Sequence, residues 1–163
     1  MRRPSRDTQT GLGISVPGVR AVVQRVTRAS VTSDGVEVGA IGPGLCALVG
    51  VTHNDGPAHA TKLAERLWHL RIMADDAGVM NRSVADTTRA LLVVSQFTLY
   101  GDTSGGRRPS WIAAARPEHA EPLIDLVVTT LWGFGATVAT GRFRTDMAVS
   151  LVNDGPATVL IEV

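Results

Sequence analysis

The sequence predicts an α+β domain that is rich in β-structure, with antiparallel or mixed sheets and two helices packed on one side. Two observations lead to this prediction. Apolar and β-branched runs recur along the whole chain, whereas only two segments carry apolar residues at helical spacing. The predicted order is four strands, a helix, a strand, a second helix and three closing strands. A length of 163 residues suits a single domain of this kind.

The first third of the chain is predicted to be a β-meander. Asp34-Gly35 is a pair typical of tight hairpins, and Gly42-Pro43-Gly44 predicts a further turn. The run that follows is continuously apolar, so its strand is expected to be buried on both faces. The four expected strands cover residues 19–27, 29–33, 36–41 and 45–51.

Two helices are predicted in the remainder of the chain. The first extends from about Pro57, a residue suited to the first helical turn, to about Met73. The second extends from about Pro117 to Leu131, and Gly133 follows as its terminator. The other strands are expected over residues 90–99, 136–140, 147–152 and 158–163, with a turn at 153–156.

Residues 1–18 are rich in Arg, Ser, Thr, Gly and Pro, so they are expected to form a flexible leader before a domain at 19–163. The basic start of the leader has no apolar segment after it, which argues against a secretory signal. No apolar run reaches the roughly 18 residues that a membrane-spanning helix needs. The single cysteine, Cys46, excludes an intramolecular disulfide and is expected to be a small buried residue. We therefore expect a cytoplasmic protein that does not associate with membranes.

Composition and motifs exclude several classes of function. The formal net charge is only +1, which is too small for a protein that follows long stretches of duplex nucleic acid but does not exclude one that handles an RNA end. The four histidines form no zinc motif, no serine lies in a Gly-x-Ser-x-Gly turn, and no glycine-rich nucleotide loop follows a strand. We expect the histidines to be structural, and we expect neither a metal nor a cofactor.

Three segments carry polar groups in suggestive places. The sequence Ser-Gln-Phe-Thr-Leu at 95–99 closes an apolar strand, where sites are often built, although backbone groups could equally satisfy its hydroxyls. Arg107 and Arg108 precede Trp111, a combination that suits phosphate contact and base stacking but also a solvated loop. The segment 153–158 contains Gly155-Pro156 and by itself indicates only a turn.

Five segments in order resemble the D-aminoacyl-tRNA deacylase family. They are Gln-Arg-Val-Thr-Arg-Ala-Ser-Val at 24–31, Ser-Gln-Phe-Thr-Leu at 95–99, Arg-Pro-Ser at 108–110, Gly-Arg-Phe at 141–143 and Asn-Asp-Gly-Pro-Ala-Thr at 153–158. The resemblance extends from about residue 19 to residue 163. Ala157 stands where a larger β-branched residue is common, Trp111 stands where Phe is usual, and residues 1–18 have no counterpart.

The resemblance implies hydrolysis of the ester between a D-amino acid and tRNA by a homodimer with the fold of that family. The catalytic residues implied are Ser95, Gln96, Phe97 and Thr98, with backbone N–H groups near Gln96 and Phe97 stabilising the oxyanion. No base neighbours Thr98 in the sequence, so a nucleophilic role is not expected. The Gly155-Pro156 bond is expected to be cis and to enter the pocket of the other subunit.

Substrate selection also follows from the resemblance. Carbonyl groups of Gly155 and Pro156 would hold the α-ammonium so that an L-side chain meets the Gly-Pro wall and a D-side chain points to solvent. Glycine has no side chain to reject, so glycyl-tRNA(Ala) is expected to be cleared as well. The acceptor end of the tRNA is expected to contact Arg107, Arg108 and Arg142. The alternatives are a non-catalytic module that binds the tRNA acceptor end and a small-molecule esterase.

Overall fold

Strands dominate the computed structural model, which describes residues 18–163. The strands and helices are β1 (Arg20–Ser33), β2 (Val36–Ile41), β3 (Gly44–Gly50), α1 (Pro57–His69), β4 (Met73–Ala74), β5 (Met80–Arg82), β6 (Ala90–Ser95), α2 (Pro117–Gly133), β7 (Val138–Thr140) and β8 (Met147–Glu162). Short 3-10 helices cover Val84–Asp86 and Phe97–Tyr100. The predicted α+β class with two helices is confirmed. None of the helices in residues 18–163 is long and apolar enough to cross a membrane.

The first strand is the centre of the sheet. The second half of β1 pairs with β2 and its first half pairs with β3, both antiparallel, while β8 pairs with β1 along almost its whole length. The predicted meander is therefore wrong, because β1 lies between its neighbours and joins two segments that were predicted as separate strands. The hairpin turn is confirmed, since Asp34 and Gly35 have φ of 51° and 76°, as a primed turn requires.

The sheet is mixed and nearly closed. Strand β3 runs parallel to β6, and β6 runs parallel to β7. Strand β7 also approaches β2, where a Cβ on Gly39 would lie 2.4 Å from the carbonyl oxygen of Thr140. Successive side chains of a strand point to opposite faces, so this curled sheet has two cores. One core fills its interior, and the other packs against α1 and α2.

The apolar side chains of β1 and β8 face one core in the first part of each strand and the other core in the second part. In β1, Val23 faces the helices and Val26 faces the interior, and the pairing with β8 shifts register between Gln24 and Arg28. The turn predicted at 153–156 is instead an irregular stretch within the continuous strand β8. The Gly155–Pro156 peptide bond in this stretch is cis. The register shift in β1 and the irregular stretch in β8 therefore lie side by side, where the side chains of both strands change from one core to the other.

Several predicted boundaries differ from the observed ones. Helix α1 ends at His69 and Met73 already belongs to β4, because Leu70 adopts an extended backbone. The strand predicted over 90–99 ends at Ser95 and passes into the 3-10 helix Phe97–Tyr100. Gly18 donates its N–H to the carbonyl of Val163 at 3.0 Å. The rest of the predicted leader lies outside the described residues.

Candidate active site

Ser95, Gln96 and Phe97 line a cavity of about 630 Å³ at the carboxyl end of β6. The Gln96 N–H donates to the carbonyl of Val49 at 2.7 Å, so the chain stays attached to β3 as it leaves the sheet. The 3-10 helix then turns the chain away from the strand direction. This turn places three consecutive residues on one wall of the cavity.

The other walls are mostly apolar. The rings of Phe97 and Trp111 meet edge to face with centroids 5.7 Å apart, and both are partly exposed at the rim. The first turn of α2 contributes Pro117 and Ala120, and the segment between β7 and β8 closes the cavity. The remaining lining residues are Val49, Val51, Val94, Ala114, Ala115, Phe143, Arg144, Thr145, Asp146, Met147 and Val149.

The backbone donors beside Ser95 differ in their availability. The family resemblance implied oxyanion donors near Gln96 and Phe97, but the Gln96 N–H is occupied by the Val49 carbonyl. Among the described residues, the N–H groups of Phe97 and Thr98, in the first turn of the 3-10 helix, have no hydrogen-bond acceptor. Phe97 lines the cavity, whereas Thr98 follows it in the chain and is not one of the lining residues. These two N–H groups are the ones that could stabilise a developing negative charge here.

No activated nucleophile lines this cavity in the described part of the chain. The Gln96 side-chain amide donates to the hydroxyl of Thr98, so that hydroxyl faces an amide and not a base. His59 accepts a hydrogen bond from the Gly56 N–H, and His119 contacts the carbonyl of Asp55. Burial raises the pKa of the Cys46 thiol to about 11, which leaves it protonated. Chemistry at this cavity therefore depends on backbone groups and on bound water.

Metal ligands are not assembled either. Within residues 18–163 no group of three or more His, Cys, Asp or Glu side chains could hold a metal ion.

Gly155 and Pro156 do not reach the Ser95 cavity of their own chain. Both are exposed on β8. Pro156 instead lines a separate cavity of about 340 Å³ together with Arg25, Met80, Arg89 and Asp154, among others. The fold of one chain thus leaves the two main sequence motifs apart.

Arg25 fixes the backbone around this motif. From its place in β1, its guanidinium donates to the carbonyls of Asp154 at 3.0 Å, Gly155 at 3.4 Å and Ile72 at 2.7 Å, and it pairs with the Asp154 carboxylate at 3.1 Å. Its side chain is only 11% exposed. Asn153 completes the arrangement by donating to the carbonyls of Arg25 and Ala157. Sequence reasoning missed Arg25, and its one signal was a charged residue inside a β-branched strand.

The three arginines predicted to contact RNA lie in two places. Arg107 and Arg108 are exposed in a loop that is closed by two backbone hydrogen bonds of 2.8 Å between Asp102 and Ser110. Arg142 lines a second cavity of about 490 Å³, which shares Ser95, Phe143 and Met147 with the first. Of the three predicted arginines, only Arg142 is therefore next to the Ser95 segment.

Comparison with known proteins gives one consistent family. The family described as D-Tyr-tRNA(Tyr) deacylase matches residues 22–162. Two relatives are both called D-aminoacyl-tRNA deacylase. The one from Thermobifida fusca is 60% identical over 146 residues, which are 89% of this chain and 100% of the relative. The one from Heliobacterium modesticaldum is 55% identical over 144 residues, which are 88% of this chain and 96% of the relative.

Solved structures agree in fold. A structure titled c-Myc DNA Unwinding Element Binding Protein has a TM-score of 0.83 and 35% identity, covering 88% of this chain and 98% of its own. A structure of a probable eukaryotic D-amino acid tRNA deacylase has a TM-score of 0.75 and covers 89% of this chain and 99% of its own. At 15% identity it supports the fold alone. The match over 22–162 and identities of 55% and 60% over nearly the full length of these relatives show that this chain belongs to the D-Tyr-tRNA(Tyr) deacylase family and is a hydrolase of the aminoacyl-tRNA ester.

Proposed function

We propose that the protein hydrolyses D-aminoacyl-tRNA to free D-amino acid and tRNA, and that it rejects L-aminoacyl-tRNA through Gly155 and Pro156 supplied by a second copy of the chain. One observation carries the chemical part of the proposal. Phe97 lines the Ser95 cavity, its backbone N–H and that of the next residue, Thr98, have no acceptor among the described residues, and the Thr98 hydroxyl is bonded to an amide. This arrangement suits an ester that is already activated and is attacked by water.

The reaction follows from these donors. Water adds to the ester carbonyl, and the N–H groups of Phe97 and Thr98 stabilise the negative charge that develops on its oxygen. The free hydroxyl next to the ester on the terminal ribose helps to position the water. Collapse of the tetrahedral intermediate breaks the bond between the acyl carbon and the ribose oxygen. One proton of the attacking water goes to the ribose oxygen, which leaves as a hydroxyl, and the other goes to solvent as the D-amino acid leaves as a carboxylate. Glycyl-tRNA(Ala) is a substrate by the same route, because glycine has no side chain to reject.

A second copy is required because Gly155 and Pro156 are remote from the Ser95 cavity in their own chain. Exposed apolar side chains surround both motifs. Val79 and Met80 lie exposed on the β4–β5 hairpin that borders the Pro156 cavity. Phe97 lies exposed on the wall of the Ser95 cavity, and Ile112, which is 83% accessible, follows the lining residue Trp111 in the chain. A two-fold dimer buries both patches and completes both cavities at once.

The D-aminoacyl substrate is selected by the position of the backbone groups of the Gly-Pro motif. Arg25 holds the Asp154 and Gly155 carbonyls and so fixes the backbone of the Gly-Pro motif. The carbonyls of Gly155 and Pro156 then offer fixed acceptors for the α-ammonium of the substrate. With the ammonium and the ester both held, the two side-chain positions on the α-carbon are no longer equivalent. An L-side chain meets the Gly-Pro backbone, and a D-side chain points outward. The tRNA is held at its acceptor end by Arg107, Arg108 and Arg142, and the protein works in the cytoplasm.

The proposal is tested first by deacylation of D-Tyr-tRNA and L-Tyr-tRNA in parallel. We expect release of D-tyrosine only. Binding of both charged tRNAs without turnover would indicate a non-catalytic acceptor-end module. Hydrolysis of free D-tyrosine esters as fast as that of D-Tyr-tRNA would indicate a small-molecule esterase.

The cross-subunit site is tested by mixing two inactive variants. Ser95→Phe fills the cavity, and Gly155→Phe adds a bulky ring to the motif that is proposed to enter the partner. After subunits reassort, a mixed dimer has one unaltered site, so a one-to-one mixture should recover about one quarter of the wild-type activity. Each variant alone, shown to be dimeric by sedimentation, is the control. No recovery after reassortment would exclude a site built from two subunits.

A further inference from the structure

Arg144 has an uncommon backbone conformation at the edge of the Ser95 cavity. Its φ is 61°, in the left-handed region that glycine adopts freely and that other residues adopt at an energetic cost. Such conformations in residues other than glycine concentrate at functional sites. Arg144 also lines the cavity together with Ser95 and Gln96. The position thus keeps a long cationic side chain where glycine would be favoured by the backbone.

An ion pair connects Arg144 to the opposite wall. Its Nη2 lies 2.6 Å from Oε1 of Glu118, in the first turn of α2, whose neighbours Pro117 and Ala120 line the cavity. The two side chains are 55% and 72% exposed. An ion pair as exposed as this contributes little to stability, so it does not offset the unfavourable backbone. A role in binding explains a long cationic side chain at this position better than a role in folding.

The substrate supplies a partner for this cation. If the ester occupies the Ser95 cavity, as the proposed function requires, the nearest negative charge is the phosphodiester on the 5′ side of the terminal ribose. Arg107 and Arg108 lie on a separate loop, and Arg142 lines the neighbouring cavity. We propose that Arg144 binds this phosphate and that Glu118 holds the guanidinium at the cavity until the phosphate replaces it.

Loss of the ion pair to Arg144 leaves the Glu118 carboxylate in a favourable environment. A hydrogen bond from its own backbone N–H, and then the Arg144 guanidinium, lower the pKa of its carboxyl group. The released carboxylate remains in the first turn of α2, where the helix dipole favours negative charge. Without Arg144, however, the same carboxylate repels the phosphate. The two residues therefore have opposite effects on substrate binding, although they form one ion pair.

The sign of the effect on KM tests this inference. Arg144→Gln should raise KM for D-Tyr-tRNA about tenfold, as expected for the loss of one charge-assisted hydrogen bond, with kcat within about twofold. Glu118→Gln should lower KM, because it frees Arg144. Arg144→Gly keeps the left-handed backbone and should behave like Arg144→Gln. Lys62→Gln and Glu65→Gln are the matched controls, since both are exposed on α1 and line none of these cavities.

Two further measurements separate phosphate binding from structural support. Arg144→Gln should reduce the slope of log KM against log salt by about 0.7, the value for one contact with single-stranded nucleic acid. It should not change hydrolysis of D-tyrosyl-adenosine, which has no phosphate. Equal increases in KM for both Gln variants, or an equal loss on D-tyrosyl-adenosine, would show a merely structural ion pair and overturn the inference.

Failure of the proposed function has a different signature. In that case wild-type protein would hydrolyse neither D-Tyr-tRNA nor D-tyrosyl-adenosine. Affinity for uncharged tRNA still tests Arg144, since Arg144→Gln should weaken it and Glu118→Gln should strengthen it. Unchanged affinity in both variants would overturn the phosphate assignment by itself.

Discussion

The hydroxyl of Thr98 accepts a hydrogen bond from the Gln96 amide, which cannot take its proton. Loss of a true nucleophile lowers kcat about a million-fold in a serine protease. We expect Thr98→Ala to lower the single-turnover rate on D-Tyr-tRNA less than about tenfold, because its backbone N–H remains. Thr98→Ser is the control. An inactive Thr98→Ala beside an active Thr98→Ser would instead establish a hydroxyl nucleophile.

Arg25 is expected to control both stability and selectivity. Arg25→Gln removes a nearly buried charge that binds three backbone carbonyls and the Asp154 carboxylate, so the free energy of unfolding should fall by about 3 kcal/mol. The ratio of D- to L-Tyr-tRNA hydrolysis should fall too, because the Gly155 carbonyl loses its support. Urea unfolding and parallel deacylation assays measure the two effects.

Arg28 provides the matched control for Arg25. It is exposed on the same strand, so Arg28→Gln should leave both quantities nearly unchanged. Unaltered selectivity in a folded Arg25→Gln variant would show that the Gly155 carbonyl does not depend on this side chain.

At the scale of elements, the close contact between β3 and β6 depends on Gly44. A Cβ at this position would lie 1.8 Å from the carbonyl oxygen of Ala90, the residue that it pairs with in β6. Gly44→Ala must separate the two strands and should lower the free energy of unfolding by about 3 kcal/mol. Gly42 has nothing within 4 Å of its ideal Cβ, so Gly42→Ala should change stability by less than about 0.5 kcal/mol. Equal midpoints of urea unfolding for the two variants would contradict this account.

At the scale of the whole molecule, truncation tests how much of the N-terminal segment the fold requires. Removal of residues 1–17 is expected to leave the melting temperature and the deacylation rate unchanged, since this stretch has little apolar content. Removal of residues 1–19 should destabilise the protein by about 2 kcal/mol or more. It takes away Val19, which is 1% exposed, and the hydrogen bond from Gly18 to Val163. A clear loss of stability on removing residues 1–17 alone would show that the leader contributes to the fold.

Local patterns in the sequence were enough for the two helices, the first hairpin, the buried strand β3 and the family. Asp34-Gly35 specified the hairpin because its backbone preferences act within the turn itself. The continuous apolar run at 45–49 identified β3 as buried on both faces, and spaced apolar residues identified α1 and α2. The segment at 95–99 directed attention to the residues that line the largest of these cavities. Each of these signals depends on neighbours along the chain.

Only the tertiary structure decided how distant segments meet. It placed β1 between its partners, made β8 one strand, and brought Arg25 to carbonyls about 130 residues away in sequence. It also left Gly155 and Pro156 apart from Ser95 within one chain and joined Arg144 to Glu118 across a cavity. These arrangements arise from strand pairing and core formation between remote residues, and no local pattern encodes such pairing. Ser95 and Gly155 could therefore be proposed from the chain alone, whereas proposing Arg25 and Arg144 required the fold.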